Sequence, residues 1–309
     1  MSIPQELQHQ INDLLIEDIP ECYDDYIHYI MNSNIVASGG NADIYELDDH
    51  SLVKISTHFK PTRNNKSLEK KCKEGYGCEN DILLEAIIMK QLNSLNLPNF
   101  VRFEKVCFSS EFGYLLQMKK VNNAVSFTNI HYKLSREQML SILFQLTYAL
   151  KMANEKNYFV HSDLIGQNIM IKVGKNEIIE YKDLRMRINN FGVTPVIIDF
   201  GYSRIQVGDN LRLVKITPSV IPDKFNPDEL FSGWIDLCKI YANPNFRKKI
   251  EDLYGSTVIH GHPLRDIIKE CNFKTQFYRV VPPFPKQQSP HYHLLMSELF
   301  NEIIDKSYS

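Results

Sequence analysis

Apolar and polar positions along this chain recur with two different periods, and the switches between them mark out the elements. Leu7, Ile11, Leu14 and Leu15, then Tyr26, Ile27 and Ile30, fall at helical spacing, so residues 5–31 predict an amphipathic helix broken near Pro20. It reads as an extension packed on the body, with a partner-binding or regulatory helix as the alternative. Residues 35–55 read as a hairpin-rich β segment: Ile35 to Tyr45, a turn at Asp48-Asp49-His50, then Leu52-Val53-Lys54-Ile55. Residues 57–80 are polar and basic, with Lys60, Arg63, Lys66, Lys70, Lys71 and Lys73. They predict an insert or solvated face, or a local docking or nucleic-acid patch. Ile82, Leu83, Ala86, Ile87, Met89 and Leu92 predict a helix over about 80–93, and Phe100 to Val121 two strands, the second at Tyr114 to Met118. Ser135 with Gln138 forms a capping-box signature, and Leu140, Leu143, Phe144, Leu146, Thr147 and Leu150 continue a helix to near Asn157. Residues 226–237 predict the start of a helix, Pro282 to Pro285 a rigid linker, and His293 to Ile304 a closing helix.

Composition narrows the class. The chain has 309 residues, 43% apolar and 23% charged, enough to bury a full hydrophobic core in one large domain or two modest ones. A net charge of −2 gives no global basic field, so direct nucleic-acid binding is not expected. No apolar run approaches the roughly 18 residues of a membrane span. Met1 to Leu7 lacks the basic start and apolar core of a secretory signal. The six cysteines, at 22, 72, 78, 107, 238 and 271, form no Cys-x-x-Cys pair and read as reduced thiols of a cytosolic protein rather than a zinc site.

The chemistry concentrates in residues 158–204. Tyr158-Phe159-Val160-His161-Ser162-Asp163-Leu164 is followed by Asn168, five residues after Asp163, and then by Val196-Ile197-Ile198-Asp199-Phe200-Gly201. Phosphoryl transfer from a nucleotide needs one carboxylate to orient the acceptor hydroxyl. It also needs an amide oxygen and a second carboxylate to hold Mg²⁺, all fixed by apolar strands. The stretch resembles the catalytic loop and metal-binding motif of the eukaryotic-type protein kinases. That resemblance implies Asp163 as catalytic base and Asn168 and Asp199 as Mg²⁺ ligands. It extends over about 33–240. Residues 37–45 look like a kinase glycine-rich loop in which Gly39 matches a family glycine, Ala37 and Ala42 replace the flanking ones, and Gly40 is extra. Lys54 takes the place of the lysine that pairs with the α- and β-phosphates. Glu85 is similar to the helix glutamate that pairs with that lysine; Glu79 competes for the role. The adenine would lie on the backbone near Met118 to Lys120, with Gln117 guarding the inner pocket. His161 is expected to pack beside Phe200, and Asp236 matches the buried aspartate that braces the catalytic loop.

The chain also departs from the family. Ser162 replaces the arginine before the catalytic aspartate, Ile165 the lysine two residues after it, and no Ala-Pro-Glu follows. The first loss removes the pocket that reads a phosphorylated activation loop. Residues 172–195, longer than the family places between Asn168 and Asp199 and including Tyr181-Lys182-Asp183 and Asn189-Asn190-Phe191-Gly192, look like an added hairpin. This insertion resembles kinase-like proteins of large DNA viruses and, more loosely, haspin-type divergent kinases. The implied fold is two-lobed α+β: a helical extension over 1–32, an antiparallel β N-lobe over 33–121 and a mainly helical C-lobe over 122–309. The implied function is an ATP- and Mg²⁺-dependent serine/threonine protein kinase with a protein substrate, in the cytoplasm, or in host cytoplasm or virions for a viral source. Two alternatives stay open: a small-molecule kinase of the aminoglycoside or choline type, and a catalytically silent pseudokinase that serves as a binding module.

Overall fold

A computed structural model describes residues 19–39, 42–47, 50–56, 81–207, 211–214, 236, 258–259, 262–263, 295–296 and 300–305. The expected helix over 5–18, the basic stretch 57–80, the helix over 226–237 apart from Asp236, and the linker at Pro282 to Pro285 lie outside these residues. The chain divides into two compact units. One comprises Met1–Asn96, Val101–Lys120 and Leu213–Lys224; the other comprises Leu97–Phe100, Val121–Arg212 and Phe225–Ser309.

The first unit is built on five antiparallel strands: β1 (Asn34–Ser38), β2 (Ala42–Glu46), β3 (Ser51–Ser56), β4 (Phe103–Ser109) and β5 (Gly113–Lys119), in spatial order β1-β2-β3-β5-β4. Register decides which side chains share a face. Lys54 on β3 lies opposite Ile44 on β2 and Leu116 on β5, whereas Val53 lies opposite Tyr45 and Gln117. One face therefore carries Lys54, Leu116 and Met118, and the other Val53, Ile55, Tyr45 and Leu115. Helix α1 (Asp24–Met31) covers the second face through Ile30, which is fully buried with Tyr45, Leu47, Val53, Ile55, Cys107 and Leu115. Helix α2 (Asp81–Asn93) packs against β3, β4 and β5 and buries Ile82, Leu83, Ala86, Ile87, Ile88, Met89 and Leu92.

The expectation of six reduced thiols fails at one pair: Cys22 and Cys107 form a disulfide. A short parallel bridge between Glu21 and Phe108 aligns them, with Cys22 N–H donating to the Phe108 carbonyl at 2.7 Å and Phe108 N–H to that of Pro20 at 3.0 Å. No sequence motif signals a partner 85 residues away.

The second unit surrounds helix α4 (Arg136–Asn157), which follows the short helix α3 (Phe127–Ile130). The expected capping box is formed: Ser135 Oγ accepts from Gln138 N–H, and Gln138 Oε1 accepts from Ser135 N–H. Every residue from Met139 to Lys151 is buried, polar ones included, so the helix is central rather than half-solvated. Strands β6 (Ala124–Ser126), β7 (Ile169–Val173) and β10 (Val193–Ile197) form an antiparallel sheet in the order β10-β7-β6. Gln145 on α4 donates to the Val193 carbonyl at 2.9 Å. The added hairpin expected over 172–195 is present as β8 (Ile178–Tyr181) and β9 (Met186–Asn189). Of the expected closing helix, Leu295, Phe300 and Ile303 are buried, and Ile304 instead bridges Ile188 on β9. Phe144 meets Tyr181 and Phe300 edge-on, each at 5.0 Å. Among the described residues, no helix is long and apolar enough to cross a membrane.

The hairpin is tied to α4 by polar contacts as well. Asp183 accepts from the Tyr148 hydroxyl at 2.8 Å and from Lys151 Nζ at 3.0 Å; Lys151 also bonds Glu155 at 2.9 Å. Burial would raise the Asp183 carboxyl, but the Tyr148 and Lys151 bonds outweigh it and hold it below its ordinary value. A depressed carboxyl stabilises the fold above its unfolded pKa and loses that contribution as pH falls through the folded one. Asp183→Asn is therefore expected to destabilise the protein by about 1 kcal/mol at neutral pH. The gap to the native chain should begin to narrow below about pH 4 and shrink further as pH falls through the depressed folded value, as urea midpoints at pH 7 and pH 3 will read.

Candidate functional site

The first unit holds Lys54, Glu85, Gly39 and Met118, and the second Asp163, Asn168 and Asp199. On β3, Lys54 is 9% exposed and donates from Nζ to Glu85 Oε2 at 2.7 Å, with Glu85 3% exposed. Glu85 lies one turn inside α2, on the side that meets the sheet, which is why the otherwise apolar run 82–89 carries a carboxylate there. Two opposite charges both removed from water need this kind of direct contact. The competitor Glu79 lies outside the described residues.

The β1–β2 turn closes with Gly39 N–H donating to the Ala42 carbonyl at 3.0 Å, and Ser38 Oγ donates to Asp43 Oδ1 at 2.5 Å. Gly40 lies outside the described residues. Gly39 is exposed, and a Cβ built on it would sit 3.7 Å from the Ala42 oxygen, an ordinary contact. At β5 the structure corrects the reading of Gln117. It points to the face opposite Lys54, where it accepts from the Tyr26 hydroxyl and donates to Glu104 at 3.0 Å, so it cannot guard a pocket on the Lys54 side. Met118, buried and two residues beyond Leu116, shares the Lys54 face instead. A one-residue difference along a strand reverses the face, and the apolar run Leu115-Leu116 hid the alternation.

In the second unit, α4 ends at Tyr158 in a left-handed cap and the chain turns back to form the loop before β7. Asn168 Nδ2 donates to the Asp163 carbonyl at 2.9 Å and to its Oδ2 at 3.2 Å. Its backbone is fixed too: Asn168 N–H donates to Ile165 and Ile198 N–H to Asn168. Both amide protons of Asn168 are thus turned toward Asp163, and its Oδ1 faces away from those bonds. Asp199 is exposed, has φ 59°, and accepts from Gly201 N–H at 3.3 Å. Positive φ at a non-glycine costs on the order of 1 kcal/mol and is held by its surroundings. The carboxylate and amide oxygens of Asp163, Asn168 and Asp199 are hard donors, the chemistry that suits Mg²⁺.

Beneath the loop lies a buried polar core. Asp236 is 1% exposed and accepts from the N–H groups of His161 at 2.7 Å and Ser162 at 2.8 Å. Burial raises its carboxyl above the usual range, against the pull of His161, these two N–H donors and Arg204. Arg204 is itself lowered by burial and supported by Asp236, and its backbone pairs with Val160 in both directions. His161 is fully buried; Asp163 N–H points at its Nδ1 at 3.4 Å, which leaves Nε2–H to donate to the Ile198 carbonyl at 3.0 Å. Its ring lies 5.5 Å from Phe200, as the sequence suggested. Sequence reasoning did not find two further supports: Ser203 Oγ, which donates to the His161 carbonyl at 3.2 Å, and Phe100, 6.5 Å from Phe200. No local motif flags either. Ser162 has φ 66°, and its buried Oγ has no hydrogen-bond partner.

The family model described as protein tyrosine and serine/threonine kinase matches residues 51–225, more than half of the chain. A 66-residue stretch is 38% identical to the uncharacterized protein ZK177.2 of Caenorhabditis elegans. That match covers 21% of this chain and 22% of the worm protein, so the chain aligns with under a quarter of that relative's length.

Asp236→Asn leaves one of the two buried N–H donors facing an NH₂ group instead of an oxygen. The expected loss is about 1–3 kcal/mol of stability, with faster amide exchange at His161 and Ser162, read by denaturation and hydrogen exchange.

Proposed function

The chain belongs to the protein tyrosine and serine/threonine kinase family, with its two-lobed α+β fold, and on that premise we propose that it is an ATP- and Mg²⁺-dependent kinase acting on serine or threonine of a protein substrate in the cytoplasm. One observation carries the reading above the others: Asn168 donates to both the backbone and the carboxylate of Asp163. That arrangement holds a general base still while leaving the amide oxygen for a cation.

Each residue then has a role. Asp163 orients the acceptor hydroxyl and takes its proton as the hydroxyl oxygen bonds the γ-phosphorus and the bond from that phosphorus to the β–γ bridging oxygen breaks, with ADP as the leaving group. Lys54, kept in place by Glu85 at 2.7 Å, neutralises the α- and β-phosphates. Asn168 and Asp199 would hold Mg²⁺, which when bound would offset charge on the phosphate oxygens. The turn at Gly39 and Gly40 would cover the phosphates through backbone N–H groups. Met118 would line the nucleotide's inner pocket, with the adenine on the backbone that follows it. The complete set of base, amide, second carboxylate and lysine supports catalysis over a silent binding module. Ile165, in place of the lysine two residues after the base, leaves the small-molecule alternative to be tested by its acceptors.

The test is transfer of labelled γ-phosphate from Mg²⁺-ATP to casein and, in parallel, to small alcohols. The native chain is expected to label casein on serine and threonine. Asp163→Asn and Asp199→Ala are expected to fall by about 100-fold or more with unchanged melting temperatures. Labelling of alcohols alone would establish the small-molecule kinase. Phosphotyrosine as the product would replace the serine/threonine assignment. Undiminished labelling by either variant would remove these residues from catalysis.

A further inference from the structure

The segment before β1 is joined to the sheet more firmly than a peripheral extension needs. Main-chain bonds tie Pro20 and Cys22 to Phe108, and the disulfide ties Cys22 to Cys107 on β4. The Tyr26 hydroxyl donates to Gln117 on β5, and Lys105 Nζ lies 4.3 Å above the Tyr26 ring. Ile30 fills the face of the sheet opposite Lys54, against Val53 and Ile55, the two neighbours of Lys54 on β3. Ile30 is the one buried residue of α1. Tyr26 and Cys22 are partly buried against the same cluster, and the disulfide and the short main-chain bridge add to this modest apolar attachment.

The two sulfurs differ in access. Cys107 is buried in the cluster, while Cys22 is only partly covered. We propose that Cys22 and Cys107 form a redox-responsive staple that fastens residues 19–33 to the sheet and stiffens β3 from the face opposite Lys54. The chemistry is ordinary thiol–disulfide exchange with a dithiol reductant. A reductant thiolate attacks Cys22 Sγ, the Cys22–Cys107 bond breaks, and Cys107 leaves as a thiolate that takes up a proton. The second reductant thiol then displaces Cys22 from the mixed disulfide and leaves as the oxidised, cyclic product. Two electrons pass to the protein and two thiols result. In a reducing compartment the staple is open, and under oxidation it closes. The proposal does not depend on the kinase reading, because its measurements need no turnover.

A large effect is expected because the bond closes a loop of 85 residues, and the constraint on the unfolded chain grows with loop length. The experiment uses the full chain, purified without reductant and divided between dithiothreitol and oxidised glutathione. Free thiols are alkylated, linked peptides are mapped by mass, and melting temperature and amide exchange are followed. In the oxidised sample a Cys22–Cys107 peptide pair is expected. Dithiothreitol should lower the melting temperature by about 5 °C or more and speed exchange over both 19–33 and 51–56, and re-oxidation should reverse the change. Cys22→Ser should sit at the lower temperature in both buffers, which assigns the response to this pair and not to the other four cysteines. Absence of the linked pair, a native response that Cys22→Ser retains, or unchanged exchange at 51–56 on reduction would overturn the proposal.

Discussion

A charge taken out of water must meet a partner in direct contact, or the fold loses several kcal/mol at that point. Lys54 with Glu85, and Asp236, are under that constraint among the described residues, and much of the architecture near them follows from it. Lys54 sits on the face of a five-stranded sheet that meets α2, and Glu85 answers it at 2.7 Å from within the otherwise apolar run 82–89 of that helix. That contact sets the rotation of α2 about its axis. The ridges of Ile82, Ala86 and Met89 must pack where Glu85 can still reach the strand. In the second unit Asp236 takes two backbone N–H groups, of His161 and Ser162, with Arg204 as an electrostatic partner. Both donors belong to the loop that ends in Asp163, so the carboxylate's need for donors is also what holds the loop.

How far the sequence revealed this depends on the range of each interaction. The capping box at Ser135 and Gln138 is local, and it formed as read. Asp163 and Asn168 lie five residues apart, a spacing that one turn of loop geometry can close, and their hydrogen bonds are present. The hairpin over 172–195 was legible as extra length against the family pattern, and its two strands lie close enough in sequence to pair with each other. Interactions without local sequence correlation were not legible. The Cys22–Cys107 bond spans 85 residues and depends on a parallel bridge that no periodicity announces. The reading of Gln117 failed for a different reason. Strand parity is fixed by the opposite strand, and only the register of Lys54 with Leu116 shows which of Gln117 and Met118 faces inward.

The loop around Asp163 also explains how it keeps its shape where the family pattern is broken. In the pattern, the residue before the base is an arginine that reads a phosphate; here it is Ser162, whose backbone is in the left-handed region and whose side chain carries no charge to answer a phosphate. The positions on either side are nonetheless pinned. His161 bonds Ile198 through its ring, accepts from Ser203 through its carbonyl, and gives its N–H to Asp236. Val160 pairs with Arg204 in both directions. Each of these contacts uses the backbone or a residue outside position 162. A serine in the arginine's place, under the proposed reading, forgoes a means of control and leaves these supports of the geometry intact. Under the proposed reading, the base at Asp163 is set by folding itself, and regulation has to enter elsewhere. The sheet that carries Lys54 is one such place, because its outer face is closed by a segment whose attachment includes a bond that can be made and broken.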